Sequence, residues 1–240
     1  MVTQKIHLST LMLKITYQNT VQSQKYITSY VKQQKLINSN YRVVDLGGAA
    51  YSWSDPIRDL LVDKFANNTD NSLNMDMCVE SEWNKLFDIV NKQGMFDYAI
   101  CTHTLEDLYN PFTALDFLPK IAKAGVISMP CLRSELAPVE SIKDQWLGWA
   151  HHRWLFDQDS NGQRMLLAPK LTFIEKLCRG LIKSDVRSES IVYEWENNIE
   201  YWDLFNTQFK DTEDCINNGY GGMITAYRDH LGSLSYRKQL

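Results

Sequence analysis

YRVVDLGG, residues 41–48, is the stretch that decides the fold. Val43 and Val44 form a short β-branched run of the kind that suits a buried strand. The run ends on an acid, Asp45, and Leu46 leads into Gly47-Gly48 and the small residues Ala49 and Ala50. A buried strand that ends in a carboxylate and a side-chain-free turn lets a ligand approach the backbone closely. The carboxylate accepts hydrogen bonds from hydroxyl or ammonium groups. Further along lie two more acids at expected strand ends, Asp63 after LLV and Asp76 after LNM, and then FDYAICTHTLEDL at 96–108.

The surrounding pattern predicts strands at about 42–46, 59–63, 73–77, 96–102 and 124–129, with helices at about 80–93 and 111–123. Pro111 opens the second helix and Ala124-Gly125 marks its expected stop. Strands alternating with helices give an α/β fold built on a parallel sheet with helical crossovers. The segment AAYSWSDPIR, 49–58, is too short and turn-prone for a crossover helix, so a loop is expected there. Residues 1–40 are polar, with Tyr26, Ile27, Tyr30 and Val31 at helical spacing, and predict one or two amphipathic helices. Beyond Pro130, HHRWLFDQDSNGQRMLLAP (151–169) predicts a β-hairpin turning at Asp159, Ser160, Asn161 and Gly162. A helix over 171–182, a late strand over 190–198 and a helical tail over 211–240 complete the expectation.

The chain has 240 residues, 44% of them hydrophobic, which fits one domain: an N-terminal extension (1–40), a core (41–130) and a C-terminal part (131–240). A formal net charge of −4, with no basic run, argues against a nucleic-acid surface. The five cysteines, Cys78, Cys101, Cys131, Cys178 and Cys215, form no CxxC pair, which disfavours a zinc ribbon or disulfide framework and fits buried thiols in a reducing compartment. The N-terminal residues are too polar for a signal peptide, and no stretch approaches the roughly 20 apolar residues of a membrane span. A cytoplasmic protein with no membrane span is the expectation.

In their order, VVDLGG, LLVD, NMDM, FDYAICTHTLEDLYNPFTAL and IAKAGVISMP resemble the class I S-adenosylmethionine-dependent methyltransferases over about residues 41–130. The fourth segment is the most specific. GWAHHRWLF, 148–156, more loosely resembles methyltransferases associated with glycan and polysaccharide assembly. The resemblance implies a Rossmann-like, mostly parallel twisted sheet with helices on both faces, N-terminal helices, a C-terminal hairpin and helix elaboration, and S-adenosyl-L-methionine as cofactor. It implies that Asp45, Gly47 and Gly48 face the methionine part of the cofactor and that Asp63 holds the ribose hydroxyls. Asp76 and Met77 would border the adenine, and Thr102 and His103 would close the far side. One departure is plain: the family's acid-x-Gly-x-Gly-x-Gly reads Asp45-Leu-Gly-Gly-Ala-Ala here, without the third glycine. A dinucleotide dehydrogenase would need G-x-G-x-x-G opening a helix that takes the pyrophosphate. Ala49, Tyr51 and Trp53 stand there instead.

His151-His152-Arg153 is the most suggestive feature outside that core. Adjacent strand residues point to opposite faces, so at most one histidine is expected to face the site, the other being exposed or packed on Trp149 and Trp154. Trp146, Trp149, Trp154 and Arg153 combine ring faces with a planar donor, as carbohydrate pockets do. Arg153, Trp154, Glu135 and Trp149 are therefore the expected acceptor-binding residues. His152 is the expected general base, followed by His103, with His151 and Asp107 as further catalytic candidates. Glu106, Asp107 or Glu135 could orient a histidine; the plainer readings are a helix cap for Asp107 and a surface charge for Glu135. No metal is expected, although His103, Asp107, Glu135 and His152 together would suit a divalent cation.

The function these readings give is O-methylation of a sugar hydroxyl on a glycan or glycoconjugate. The alternatives are a non-catalytic methyltransferase-like scaffold and a methyltransferase acting on another small molecule. A nucleic-acid substrate is disfavoured by the acidity and by the lack of an Asn-Pro-Pro-aromatic run. The partner is thus a small-molecule or glycan acceptor, and the oligomeric state stays open.

Overall fold

The computed structural model of the protein describes residues 15–137, 147–158, 162, 164–171 and 189–203. Strand β1 (Ile15–Asn19) leads into helix α1 (Thr20–Ile37), where Asn19 acts as N-cap and accepts the Val21 N–H at 2.9 Å. The core follows as β2 (Val43–Leu46), β3 (Leu60–Asp63), β4 (Ser72–Asn74), α2 (Asn84–Gln93), β5 (Phe96–Thr102), α3 (Pro111–Ile121) and β6 (Ala122–Pro130). A short helix α4 (Leu132–Glu135) precedes β7 (Trp154–Gln158), β8 (Met165–Pro169), β9 (Glu189–Glu196) and β10 (Tyr201–Asp203).

Seven strands form one sheet in the order β1-β9-β6-β5-β2-β3-β4. Its β2 to β6 members run parallel, β9 lies antiparallel against β6, and β1 lies antiparallel against β9. The fold is therefore mixed α/β with a large, mostly parallel sheet. Alternation along the strands divides the core between two faces. Val43, Tyr98, Ile100 and Val126 pack with Ile27 and Val31 of α1. Val44, Ala99, Cys101 and Ile127 pack with Leu86 of α2 and Leu115 and Leu118 of α3. Full burial of an aliphatic side chain such as Ile27 or Val31 is worth about 1.5–3 kcal/mol, so α1 is held by this one stripe.

Of the one or two helices expected over residues 1–40, α1 forms and carries Tyr26, Ile27, Tyr30 and Val31, whereas that part of the expectation is corrected at residues 15–19, which form a strand. Its backbone completes the edge beside β9, a tertiary pairing that outweighs local propensity. The third strand ends at Asn74, so Asp76 lies in the turn beyond it. Helix α3 stops at Ile121 and passes directly into β6, which contains Ala124 and Gly125. The loop expected between β2 and β3 is present, with no helix there. The expected hairpin forms as β7 against β8, and β10 joins β8 to make a second, three-stranded sheet. Residues 1–14, Trp146, the turn residues Asp159, Ser160 and Asn161, the helix expected from 172 onward and the tail over 211–240 lie outside the described residues. Among the described residues, no helix is long and apolar enough to cross a membrane.

Candidate functional site

After β2 the chain steps through β3 to β4 on one side, then returns on the other side with β5 and β6. The strand order therefore reverses between β2 and β5, where open α/β sheets form a crevice at the carboxyl ends of their strands. The loops leaving these two strands touch there. Gly47 has a φ of +77°, and a Cβ on it would lie 2.2 Å from both Thr104 Cγ2 and Thr104 Oγ1. A Cβ on Gly48 would lie 2.1 Å from Asp45 Oδ2. The protein's own packing thus requires the side-chain-free turn.

Asp45 is 2% exposed, and its Oδ2 accepts from Ser54 Oγ at 2.5 Å and Arg58 Nη1 at 3.2 Å. Arg58 also donates to the Ala49 carbonyl at 3.0 Å and pairs with Asp55. Burial pushes the Asp45 carboxyl up, and Ser54 and Arg58 offset this only in part. These bonds brace the loop that stands in place of a crossover helix. Asp63 closes β3, and its Oδ1 accepts the Phe65 N–H at 2.7 Å, which holds the carboxylate at the carboxyl end of the strand; the Phe65 side chain is exposed. Asp76 uses both oxygens, one for Lys64 Nζ at 2.7 Å and one for the Cys78 N–H at 3.0 Å. Burial alone would raise its pKa, but these two partners outweigh it and hold the carboxyl below the usual range. Met77 belongs to the core at 4% exposure.

On the β5 side Thr102 ends the strand, and His103 follows with a φ of +52°, uncommon for a side-chain-bearing residue. Its N–H donates to the Ser128 carbonyl at 2.7 Å. His103 Nδ1 lies 3.4 Å from Glu106 Oε1, close enough to interact as an ion pair but not aligned as a hydrogen bond. Glu106 is 1% exposed, and among the described residues neither carboxylate oxygen has a hydrogen-bond partner, nor does His103 Nε2. A buried carboxylate without a donor is costly when ionised. These atoms are the least satisfied polar group at the crevice.

The third contributor comes from far along the chain. The Arg153 N–H donates to the Glu106 carbonyl at 2.7 Å, and the Trp154 indole donates to the Leu108 carbonyl at 2.8 Å, docking residues 149–154 on the β5 loop. β7 begins only at Trp154, so His151 and His152 sit in a turn and the opposite-faces expectation is corrected. Their rings meet edge-on at 4.5 Å, and each Nε2 lies 3.8 Å from Asp107 Oδ1. His152 also stacks on Trp149 at 5.2 Å. Its Nδ1 meets Glu135 Oε1 at 2.5 Å, and Glu135 Oε2 accepts from Lys170 Nζ at 2.8 Å. Burial alone would lower the His152 pKa, but Glu135, Glu106 and Asp107 outweigh it and raise it.

The expected residues thus divide. His152, His151 and Asp107 converge, with His103 and Glu106 on the adjoining stretch of the β5 loop. Glu135, expected as a surface charge, on the acceptor or as a carboxylate that orients a histidine, is 1% exposed and bound to His152 and Lys170, which fits the last of these. Trp154 is partly buried, its ring edge-on to Phe112 at 5.1 Å, so packing rather than an acceptor engages it. Trp149 and Arg153 keep exposure beside the histidines. Lys170, Thr104 and Arg58 escaped the sequence reading. Only the lone glycine pair hinted at Thr104, and no local pattern marks the other two. For a cation, Glu135 is already spent, whereas Asp107, His151 and His152 each offer one ligand atom, all within 4.8 Å of one another.

No protein-family model matches the chain, and no curated protein matches it. Two solved structures similar to it are both described as the methyltransferase domain of bacterial CtHen1. One, the CN form, has a TM-score of 0.36 and 10% identity, and covers 75% of this chain and 100% of that one. The other, the C form, has a TM-score of 0.33 and 11% identity, and covers 73% of this chain and 98% of that one. The superpositions are loose, and the functional reading rests on the residues themselves.

Proposed function

We propose that the protein is an S-adenosylmethionine-dependent O-methyltransferase whose acceptor is a sugar hydroxyl of a glycan or glycoconjugate. The observation that carries this reading is the reversal of strand order between β2 and β5, with Asp63 at the end of β3 and the imidazole and carboxylate cluster of 103–107 and 151–152 formed by the loop after β5 and the turn docked on it. Asp63 would hold the ribose hydroxyls, and Phe65 and the turn at Asp76 would border the adenine. The backbone at Gly47 and Gly48 would face the methionine part. The residues fit such a ligand, since a carboxylate at a strand end accepts from paired hydroxyls and Glu106 could receive an ammonium group. The cofactor would supply an electrophilic methyl group. The protein's part is to hold the acceptor hydroxyl in line and take up its proton. His152 is assigned the proton, with Nε2 turned toward Asp107 and Nδ1 occupied by Glu135. Trp149 and Arg153 would orient the acceptor by ring stacking and planar hydrogen bonding.

Calorimetry with S-adenosylhomocysteine tests the reading. Binding that Asp63→Asn weakens supports it, and the absence of binding by the purified protein would overturn it. In a second reading of the same reaction, a divalent cation on Asp107, His151 and His152 binds the acceptor hydroxyls. Loss of activity in chelator with recovery in Mg²⁺ or Mn²⁺ would select this version. A chelator-insensitive rate would remove it.

A further inference from the structure

We propose that Lys170 is a positioning residue: through Glu135 it fixes the orientation and the proton of His152. It lies just beyond β8, its side chain 3% exposed. Its Nζ donates to Glu135 Oε2 at 2.8 Å, to the Leu147 carbonyl at 2.9 Å and to the Trp149 carbonyl at 2.8 Å. An ammonium has three donors, so all are used and none is left for an acceptor molecule. One buried charge therefore joins three segments that are distant in sequence: the end of β8, helix α4 and the turn that carries both histidines.

The joint is tight on every side. Gly148 has a φ of +57°, and a Cβ on it would lie 2.4 Å from the Glu135 carbonyl oxygen and 2.6 Å from Glu135 Oε2. Its N–H donates to the Ala137 carbonyl at 2.9 Å. Glu135 cannot swing away while Lys170 grips one oxygen, so the other is held at 2.5 Å from His152 Nδ1. A carboxylate in that place accepts, which puts a hydrogen on Nδ1 and leaves Nε2 as the atom presented toward Asp107 and the crevice. Lys170 also supplies the positive charge that Glu135 needs in a buried site. Lys170 offsets part of the Glu135 charge, while Glu135, Glu106 and Asp107 together still raise the His152 pKa.

The role of His152 as base rests on the methyl-transfer reading, but its orientation does not, and the test separates the two. Nitrogen-15 spectra of the full chain, assigned with His152→Gln, report which imidazole nitrogen carries the hydrogen. At a pH above its raised pKa, wild-type His152 is expected as the neutral Nδ1–H form. The Nε2–H form, or rapid averaging of both, overturns the proposal whatever the activity. Lys170→Met keeps the length of the side chain and removes the ammonium. It is expected to abolish the Nδ1–H signature and to lower turnover by about a hundredfold, as a small misplacement of a reacting group does. S-adenosylhomocysteine affinity should stay within about twofold, since the Lys170 ammonium bonds none of the residues assigned to the cofactor. An unchanged spectrum with turnover within about twofold of wild type overturns the proposal. Should Lys170→Met not fold, the wild-type spectrum alone decides. A protein that shows the spectral effect but no methyl transfer would keep the positioning role and sink only the reading of the reaction.

Discussion

The two walls of the crevice are built in opposite ways. On the β2–β4 side the three acids singled out find their partners nearby in sequence: Asp45 with Ser54 nine residues on, Asp63 with the N–H two residues on, Asp76 with Lys64 twelve residues back. On the histidine side the partners are 17, 35 and 46 residues apart, in the His152–Glu135, Lys170–Glu135 and Trp154–Leu108 contacts. The first wall is a set of local turns hung on strand ends. The second exists only once four separate segments have met. Local braces should therefore fail one at a time, and the long-range joint should fail as a unit.

Glu135→Ala is the severest test of that difference. It leaves the Lys170 ammonium buried without its carboxylate and should cost about 3–5 kcal/mol in urea denaturation. It should also free His152 and the turn at 147–153. A loss under about 1 kcal/mol would mean that the joint is not closed in solution. Gly47→Ala should come next, at about 2–4 kcal/mol, from left-handed backbone strain and the collision with Thr104. Thr104→Ala in the same chain should recover the collision part and leave the strain. Additive losses in the double variant would show that Gly47 and Thr104 do not touch.

How much of this was legible follows the same division. The order of strands and helices from 43 to 130, and the loop in place of the first crossover, come from runs such as Val43-Val44-Asp45 and the turn-prone residues 49–58, because each is a local pattern. β1 was read as helix, since its pairing with β9 is a tertiary fact that residues 15–19 do not announce. The histidine pair stood out by type, but its geometry was misjudged: the strand starts at Trp154, three residues later than the start of the expected hairpin segment. Lys170 is a single lysine after a strand in the sequence, and only folding shows what it grips.

Two smaller effects lie outside the long-range joint. Asp63→Asn removes a charge-assisted acceptor and should weaken S-adenosylhomocysteine binding at least about tenfold, while thermal stability changes little. Unchanged affinity by calorimetry would take Asp63 out of the site. Asp97, at the base of β5, should give the mildest signal. Burial raises its pKa, but Lys123 at 2.6 Å and the Arg42 N–H at 2.9 Å outweigh this and hold the carboxyl below its ordinary value. Its contribution is therefore present above the unfolded value of about 3.9 and disappears as pH falls through the lower, folded value. Asp97→Asn should lose about 1 kcal/mol or less near neutrality, and its gap to wild type should close below about pH 4. A gap that widens in acid would reverse the assignment.

The pairing of β1 with β9 also governs how the chain is made. Tyr17 lies opposite Ile191, so β1 waits for a strand that is made much later. Until β9 arrives, the long outer edge of β6 has no neighbour, and unpaired edges are where chains stick to one another. The five parallel strands, β2 to β6, are complete well before that moment. Contacts of such sequence separation form slowly because their loop closes last. Synthesis therefore passes through an interval in which the parallel core is assembled, its flank is open, and the strand that will seal it is still being translated.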